Sequence, residues 1–251
     1  MNQPKVSIIT IVYNGEKYLE KTILSVINQT YPAIEYIIID GGSTDKTPSI
    51  INQYRSEIQI VVSEPDKGIY DAMNKGLQNA TGDFVWFMNA GDTIYEPETL
   101  TKAIQQWRGE DALYGTAAIV DETGNFLGMR RLQVPEALTW KSMQTGMVVC
   151  HQALIIRRSI AAFYDLSHPY SADIDWAIRS LQKAQSTLNT HLPLCRYLEG
   201  GFSAKNRIES LLDRWKIMTK HYGLATTTLN HFIILYNLIY YRLKSLFVKP
   251  S

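Results

Sequence analysis

Two hydrophobic periods alternate along the first hundred residues, and the switches between them outline the fold. Lys5 to Val12 is an apolar run rich in β-branched residues, bounded by Pro4 and by Tyr13-Asn14-Gly15, which predicts a buried parallel strand. From Glu16 to Gln29 the spacing becomes helical. Leu19, Ile23, Val26 and Ile27 share a face able to cover a sheet, and Tyr31-Pro32 ends the segment. Glu35 to Asp40 predicts a second strand, Gly41 to Asp45 a turn with several candidate N-caps, and Lys46 onward a helix with Pro48 in its first turn. A third strand is predicted over Ile58 to Ser63. A helix is predicted over Ile69 to Asn79, where Ile69, Met73 and Leu77 recur at four-residue spacing.

The stretch around which the chain is organised is Phe84 to Asp92. Five apolar residues there run into Asn89-Ala90-Gly91-Asp92. A buried strand fixes the position of the residues just beyond it, so a carboxylate at its end needs little ordering to hold a divalent cation against a phosphorylated ligand. Strand and helix at short intervals predict an α/β fold, a mostly parallel sheet flanked by helices, in which ligands sit beyond the carboxyl ends of the strands. Tyr13, Asp40, Asp66 and Asp92 all fall at or just after such ends. Taken singly, an aspartate after a strand is more simply a turn cap. Their joint placement favours a site.

Beyond this point Glu98 to Trp107 reads as a helix, and Leu113 to Val120 with Phe126 to Arg131 as a hairpin around Asp121 to Asn125. Leu132 to Gly146 reads as loop and short helix, and His151 to Arg157 as a strand. Ser171 is a candidate N-cap for a helix with Ile174, Ala177, Ile178 and Leu181 on its apolar face, and Asp173 lies in the first turn, where the helix dipole favours an ionised carboxylate. Lys205 to Tyr222 is amphipathic and closes at Gly223. Leu229 to Val248 is far more apolar, too short for a comfortable membrane span, and mixes aromatic rings with Arg242, Lys244 and Lys249. It suits either a helix lying in a membrane surface or a core or dimer helix. These patterns divide the chain into a main domain, 1–204, and a C-terminal helical extension, 205–251.

Composition narrows the function. A chain of 251 residues can bury one good core with a small appendage, and a net charge of +1 gives no support to nucleic-acid binding. Two distant cysteines without CxxC spacing argue against zinc or a disulfide framework and for free thiols in a reducing compartment. With no basic n-region or cleavage site at the start, a cytoplasmic protein is expected, peripheral on the inner membrane face if the last segment binds lipid. Gly41-Gly42 is not the spaced G-x-G-x-x-G of dinucleotide enzymes, which disfavours an oxidoreductase.

Four motifs then fall in order: Ser7-Ile8-Ile9-Thr10-Ile11-Val12-Tyr13-Asn14, Ile39-Asp40-Gly41-Gly42-Ser43-Thr44-Asp45, Asp66 to Gly76, and Met88-Asn89-Ala90-Gly91-Asp92. Their order and spacing resemble the family 2 glycosyltransferases of the GT-A fold, especially bacterial enzymes that build exopolysaccharides such as colanic acid. His151-Gln152 and Ala172 to Asp175 extend the resemblance more loosely. It implies transfer of a sugar, with inversion, from a nucleotide-diphosphate sugar, UDP-linked by default and GDP-linked as the alternative, to a lipid-linked or oligosaccharide acceptor. It puts Tyr13 and Asp40 in the nucleotide pocket, Asp66 and Lys67 at its border, Asn89 to Asp92 in place of the DxD motif, and Asp92 as ligand to Mg²⁺ or Mn²⁺. Asn89 and Gly91 depart from that motif, standing where many relatives have aspartates, so diphosphate and water are expected to supply most of the coordination. Asp173 matches the catalytic base and is preferred over Asp175, two residues on. His151 is either near the acceptor or diphosphate, or an ordinary hydrogen-bonded histidine. Gly200 to Ser203, with Lys205 and Arg207, is either a flap over the diphosphate or, as preferred, a loop into a helix. A nucleotidyltransferase and a non-catalytic nucleotide-sugar binder are the competing readings. The first lacks a basic glycine-rich loop after the first strand.

Overall fold

A computed structural model describes residues 3–200, 206–232 and 234. Its centre is β1 (Val6–Val12), all seven residues of which are buried. β1 pairs in parallel with β2 (Ile34–Asp40) on one side and β4 (Phe84–Phe87) on the other, and β2 pairs in parallel with β3 (Ile60–Ser63). Strands covered on both faces must be apolar throughout, which is why these segments read as continuous runs. The cover comes from helices α1 (Leu19–Ile27), α2 (Thr47–Gln53) and α3 (Ile69–Asn79); α3 packs across β1 and β2.

Past β4 the sheet becomes mixed. β8 (Leu154–Arg157) runs antiparallel between β4 and β6 (Ala112–Val120), and β6 pairs antiparallel with β7 (Phe126–Met129). β9 (Thr187–Leu198) pairs in parallel with β6 and antiparallel with the two-residue β5 (Thr93–Ile94), giving the order β3-β2-β1-β4-β8-β6-β9-β5. Most ladder positions lie in parallel pairs, so the expected α/β architecture stands. The β5–β9 pairing has a direct consequence for the site. β5 begins immediately after Asp92, so its ladder draws Tyr197 and Leu198 of β9 onto that turn.

Several boundaries differ from the sequence reading. α1 begins at Leu19, not Glu16, because the N–H groups of Tyr18 and Leu19 both turn back to the Gly15 carbonyl, ahead of the first helical turn. His151–Ala153 is a 3₁₀ turn and the strand starts only at Leu154; Trp140–Thr145 is a second 3₁₀ turn, with Thr139 and Ser142 capping each other. β5 and β9 are absent from the sequence reading. In β9 Asn189, His191 (φ 54°), Pro193 and Arg196 break any alternation, and the strand forms because β6 and β5 offer partners on its two edges.

α4 (Thr99–Gln106) packs on β9, and α5 (Ala172–Leu181) carries Asp173. α6 (Arg207–Tyr222), expected as the start of a separate extension, packs directly on α5. Asp213 accepts from the Tyr170 and Ser171 N–H groups (both 3.1 Å) and pairs with His168 Nδ1 at 2.7 Å. Ser171 occupies the N-cap position, but its hydroxyl donates to the Ser210 carbonyl at 3.1 Å instead of capping the helix. Cys150 and Cys195 are free and buried. Among the described residues no helix is long and apolar enough to cross a membrane; of the Leu229 to Val248 segment, all but 229–232 and 234 lies outside them, as do residues 201–205 of the stretch expected as a loop into a helix.

Candidate active site

The carboxyl ends of β1 and β2 are laced together by side chains acting on backbone. The Asn14 N–H donates to Ser43 Oγ (2.8 Å) and the Thr44 N–H to Asn14 Oδ1 (2.9 Å), while Gly15 N–H reaches Thr47 Oγ1 (2.8 Å) and Glu16 N–H reaches Asp45 Oδ2 (3.0 Å). Loops tied in this way hold a fixed cradle. Tyr13 projects from it with 65 % of its surface exposed, an uncovered ring of the kind a nucleobase can stack on. Asp66 meets the same spot: a Cβ on Gly41 would stand 2.3 Å from Asp66 Oδ2 and 3.4 Å from Tyr13 Cδ2, so only glycine lets the carboxylate close beneath the ring. Asp66 Oδ1 accepts the Gly68 N–H at 2.8 Å, and Lys67 is exposed beside it. Asp40 is fully buried. Its oxygens accept from the Ser43 N–H (3.0 Å) and Ser63 Oγ (2.6 Å), so in this arrangement it shapes the cradle from below.

Asp92 is also more enclosed than a turn carboxylate would be. It is 5 % exposed; Oδ2 accepts from Gln152 Nε2 at 2.8 Å and Oδ1 from the Leu198 N–H at 3.0 Å. Burial pushes its carboxyl up to about 7 against the pull of those two bonds. Each oxygen therefore already accepts one hydrogen bond, from a side chain on one side of the turn and from backbone on the other. Gly91, before it, has φ +107°, a conformation L side chains rarely adopt, and a Cβ there would lie 3.0 Å from Leu198 Cδ2. The turn is thus built for glycine at this position. Asn89 differs: its Oδ1 is buried without a hydrogen-bond partner, which leaves an acceptor waiting for a donor or a cation. Among the described residues no group of three His, Cys, Asp or Glu is placed to hold a metal ion.

The two acidic residues of α5 separate clearly. Asp175 is fully buried, with Arg179 Nε 2.6 Å from Oδ2 and His221 Nε2 2.8 Å from Oδ1. Asp173 is half-buried, and among the described residues both of its side-chain hydrogen bonds fall on one oxygen: Oδ1 accepts from the Ile174 N–H (3.0 Å) and faces the Tyr70 hydroxyl at 3.4 Å. Burial raises its carboxyl above the ordinary value, opposed by the Ile174 N–H and by Arg214. A carboxylate with one uncommitted oxygen and a raised pKa is suited to take a proton. Tyr197 on β9 is raised mainly by burial, and the charges of Asp92, Cys150 and Asp173 add to that.

His151 belongs to the core. It is 6 % exposed, its Nε2 lies 2.7 Å from Tyr164 Oη, its ring packs on Phe87 and Trp176, and burial lowers it to about 3, so it is neutral. Three residues that the sequence motifs do not single out border the site. Tyr70 sits inside the Asp66 to Gly76 motif, Tyr197 on the unpredicted strand, and Arg214 on α6, its Nε buried without a partner. The first carries a signal, as a tyrosine two residues after the motif glycine. The others depend on pairings made far along the chain.

Comparison with known proteins bears on the family and the fold. The family model for "Glycosyl transferase family 2" matches residues 7–163. A PGL/p-HBAD biosynthesis glycosyltransferase of Mycobacterium bovis is 31 % identical over 231 residues, 88 % of this chain and 87 % of its own. An uncharacterized glycosyltransferase of Mycobacterium tuberculosis is 33 % identical over 186 residues, covering 70 % and 69 %. Among solved structures, Staphylococcus aureus TarS 1-349 in complex with UDP superposes with a TM-score of 0.69 at 20 % identity, over 90 % of this chain and 65 % of that one. The mannosyltransferase PcManGT of Pyrobaculum calidifontis, in complex with GDP-Man and Mn²⁺, gives 0.65 at 20 % identity, over 88 % and 64 %. At that identity the structures speak for the fold, which is GT-A, and the chain spans just under two thirds of their length. The matched span and the curated relatives carry the assignment: this chain is a member of glycosyl transferase family 2.

Proposed function

We propose that the protein moves a hexosyl group, with inversion, from a nucleoside-diphosphate sugar to a hydroxyl of a lipid-linked or oligosaccharide acceptor in exopolysaccharide assembly. The observation that carries this is Asp173, a half-buried carboxylate whose Oδ1 accepts the Ile174 N–H and faces Tyr70 of the Asp66 to Gly76 motif, and whose Oδ2 has no hydrogen-bond partner among the described residues. The Tyr13–Gly41–Asp66 corner supports a base and ribose at the ends of β1 and β2. TarS is solved with UDP and with UDP-GlcNAc and PcManGT with GDP-Man, which favours a nucleoside-diphosphate donor and leaves UDP as the first to test. In this reading Asp173 takes the proton of the acceptor hydroxyl as that oxygen attacks the anomeric carbon from the side opposite the departing diphosphate, which inverts the centre.

The residues present fit a divalent cation only as one carried in by the diphosphate. Each Asp92 oxygen already accepts one hydrogen bond and Gly91 offers no side-chain oxygen, so Asn89 Oδ1, a neutral oxygen buried without a partner, is the side-chain ligand of this turn that a cation would meet unpaired. Mg²⁺ is held in this manner elsewhere, mostly by phosphates and water. When bound, Mg²⁺ or Mn²⁺ would supply charge stabilisation to the leaving diphosphate. Asp92 instead ties the turn to Gln152 and to the end of β9. Association with the cytoplasmic membrane face is proposed on the aromatic and basic sequence after Leu229 alone.

The test is nucleotide release from UDP- and GDP-hexoses by the purified protein, with and without a polyprenyl-diphosphate-linked sugar. Acceptor-stimulated release of UDP or GDP, lost in Asp173→Asn, is the expected result. Binding without release under every donor would mean a non-catalytic binder. Pyrophosphate release from a nucleoside triphosphate and a sugar phosphate would mean a nucleotidyltransferase.

A further inference from the structure

Asp173 does not stand alone on α5. Tyr70, on α3 and 6 % exposed, places its hydroxyl 3.4 Å from Asp173 Oδ1. Its ring stacks on Tyr164 with centroids 5.6 Å apart and planes at 20°; Tyr164 stacks in turn on Trp176 at 5.3 Å and 6°. Trp176 is the third residue after Asp173 on the same helix. The path therefore closes on itself, from Asp173 to Tyr70, Tyr164 and Trp176, and back along one helical turn. A closed loop of stacked rings fixes the hydroxyl-to-carboxylate distance more firmly than a lone hydrogen bond between two flexible groups can. The stack is anchored again where Tyr164 Oη meets His151 Nε2 at 2.7 Å, in a site that T-shaped contacts with Phe87 pack on two further sides.

We infer that Tyr70 is the positioning residue of the acceptor-side base: its hydroxyl holds Oδ1 of Asp173, leaving Oδ2, which has no hydrogen-bond partner among the described residues, for the acceptor's proton. This rests on the assignment of Asp173 as the base. The ionisable groups facing Asp173 are Tyr70 from α3, Arg214 from α6, Tyr197 from β9 and Tyr164 from the segment before α5. Tyr70 and Arg214 favour the charged carboxylate, and burial opposes it. Removing the Tyr70 hydroxyl therefore weakens only the charged form, and the group should hold its proton to a higher pH.

The experiment is the pH profile of acceptor-dependent kcat/KM for the full chain carrying Tyr70→Phe. The acid limb should move up by about half a pH unit or more. kcat should fall by roughly tenfold, with donor KM within about twofold of wild type. A second variant, with 2,3-difluorotyrosine at position 70, keeps the ring and makes the hydroxyl a stronger donor. It should move the limb down, and it decides the question should Tyr70→Phe fail to fold. A purely packing role would leave the limb in place in both. If Asp173→Asn turns over like wild type, the base assignment itself fails. If Asp173→Asn is inactive while both Tyr70 variants keep the wild-type limb, this inference fails and the assignment stands.

Discussion

His221 Nε2 lies 2.8 Å from Asp175 Oδ1, a bond that joins residues 46 apart and seats α6 on α5. Arg179 occupies the other oxygen of the same carboxylate, and Lys220 Nζ stands 3.8 Å away. Burial raises this carboxyl, but its bonds to His221 and Arg179 outweigh that and hold it below the ordinary range. Two residues upstream, Asp173 has one oxygen uncommitted and is shifted the other way. Neighbours in sequence thus divide between an ion-paired carboxylate that holds the fold and the one proposed to do the chemistry.

Asp175→Asn leaves Arg179 and His221 without their buried counter-charge. Loss of one partner from a buried ionic cluster costs about 3–5 kcal/mol. The midpoint of urea unfolding should fall accordingly, while turnover per folded molecule stays near wild type. A stable but inactive Asp175→Asn would instead make Asp175 the base.

Asp173→Asn should show the reverse. Transfer should drop by at least about a hundredfold, as loss of a general base requires. The variant's melting temperature should equal or exceed wild type at neutral pH, because it removes a carboxyl whose charged form burial disfavours in the folded protein. Thermal unfolding alongside donor turnover checks both halves.

The buried Asp92 makes a pH prediction with a definite sign. Its folded pKa of about 7 lies above the unfolded value, so between roughly pH 4 and 7 the folded state binds more protons than the unfolded one. Stability contributed by this group is therefore greatest at low pH and declines as pH rises toward 7, levelling off beyond. Glu35 acts oppositely. Bonds from Lys5, Ser7 and Thr81 overcome the effect of burial and bring it to about 2, so its contribution is present above about pH 4.5 and is lost as pH falls toward 2. Melting curves of Asp92→Asn and Glu35→Gln against pH separate the two: the first should flatten the decline toward neutrality, the second the collapse in acid.

How far the sequence discloses all this depends on the range of the interactions involved. β1, β2, β4 and α3 are legible because each is buried by its own residues, and the four-residue spacing of Ile69–Asn79 delimits that helix correctly. Family motifs place Asp66 and Tyr13 together, and the physical reason, the missing Cβ of Gly41, appears only in three dimensions. β9 is illegible, since its alternation is broken and its partners lie in β5 and β6. Without β9 there is no means of seeing that the Leu198 N–H donates to Asp92. The role expected of Asp92 as metal ligand comes from strand-end position, and burial is the one property that position cannot report.

Gly91→Asp would put an acid at the position where the resemblance to the DxD motif leads one to expect it, yet it should not add a metal ligand. Its φ of +107° is unfavourable for any side chain, and the Cβ would press on Leu198 Cδ2 at 3.0 Å. A loss of about 1–3 kcal/mol is expected from the backbone alone, with no gain in Mn²⁺ affinity when the protein is titrated without nucleotide. Tighter Mn²⁺ binding at unchanged stability would show the turn to be more permissive than its geometry.

A cation that depends on the diphosphate for most of its ligands should show it in linkage. With Asn89 Oδ1 as the uncommitted protein oxygen of the turn, Mn²⁺ alone should leave the melting temperature of the chain within about 1 °C of its metal-free value, since a single neutral ligand binds weakly and stabilisation tracks occupancy. UDP alone should raise it modestly, and UDP with Mn²⁺ by more than the two separate effects combined. Asn89→Leu, which keeps the bulk and removes the oxygen, should abolish that excess while sparing the shift from UDP alone. Uridine, which lacks phosphates, should show no excess with Mn²⁺ in either protein. A large shift from Mn²⁺ by itself, surviving Asn89→Leu but lost in Asp92→Asn, would return the metal to Asp92 and require the bonds from Gln152 and Leu198 to open when the ion arrives.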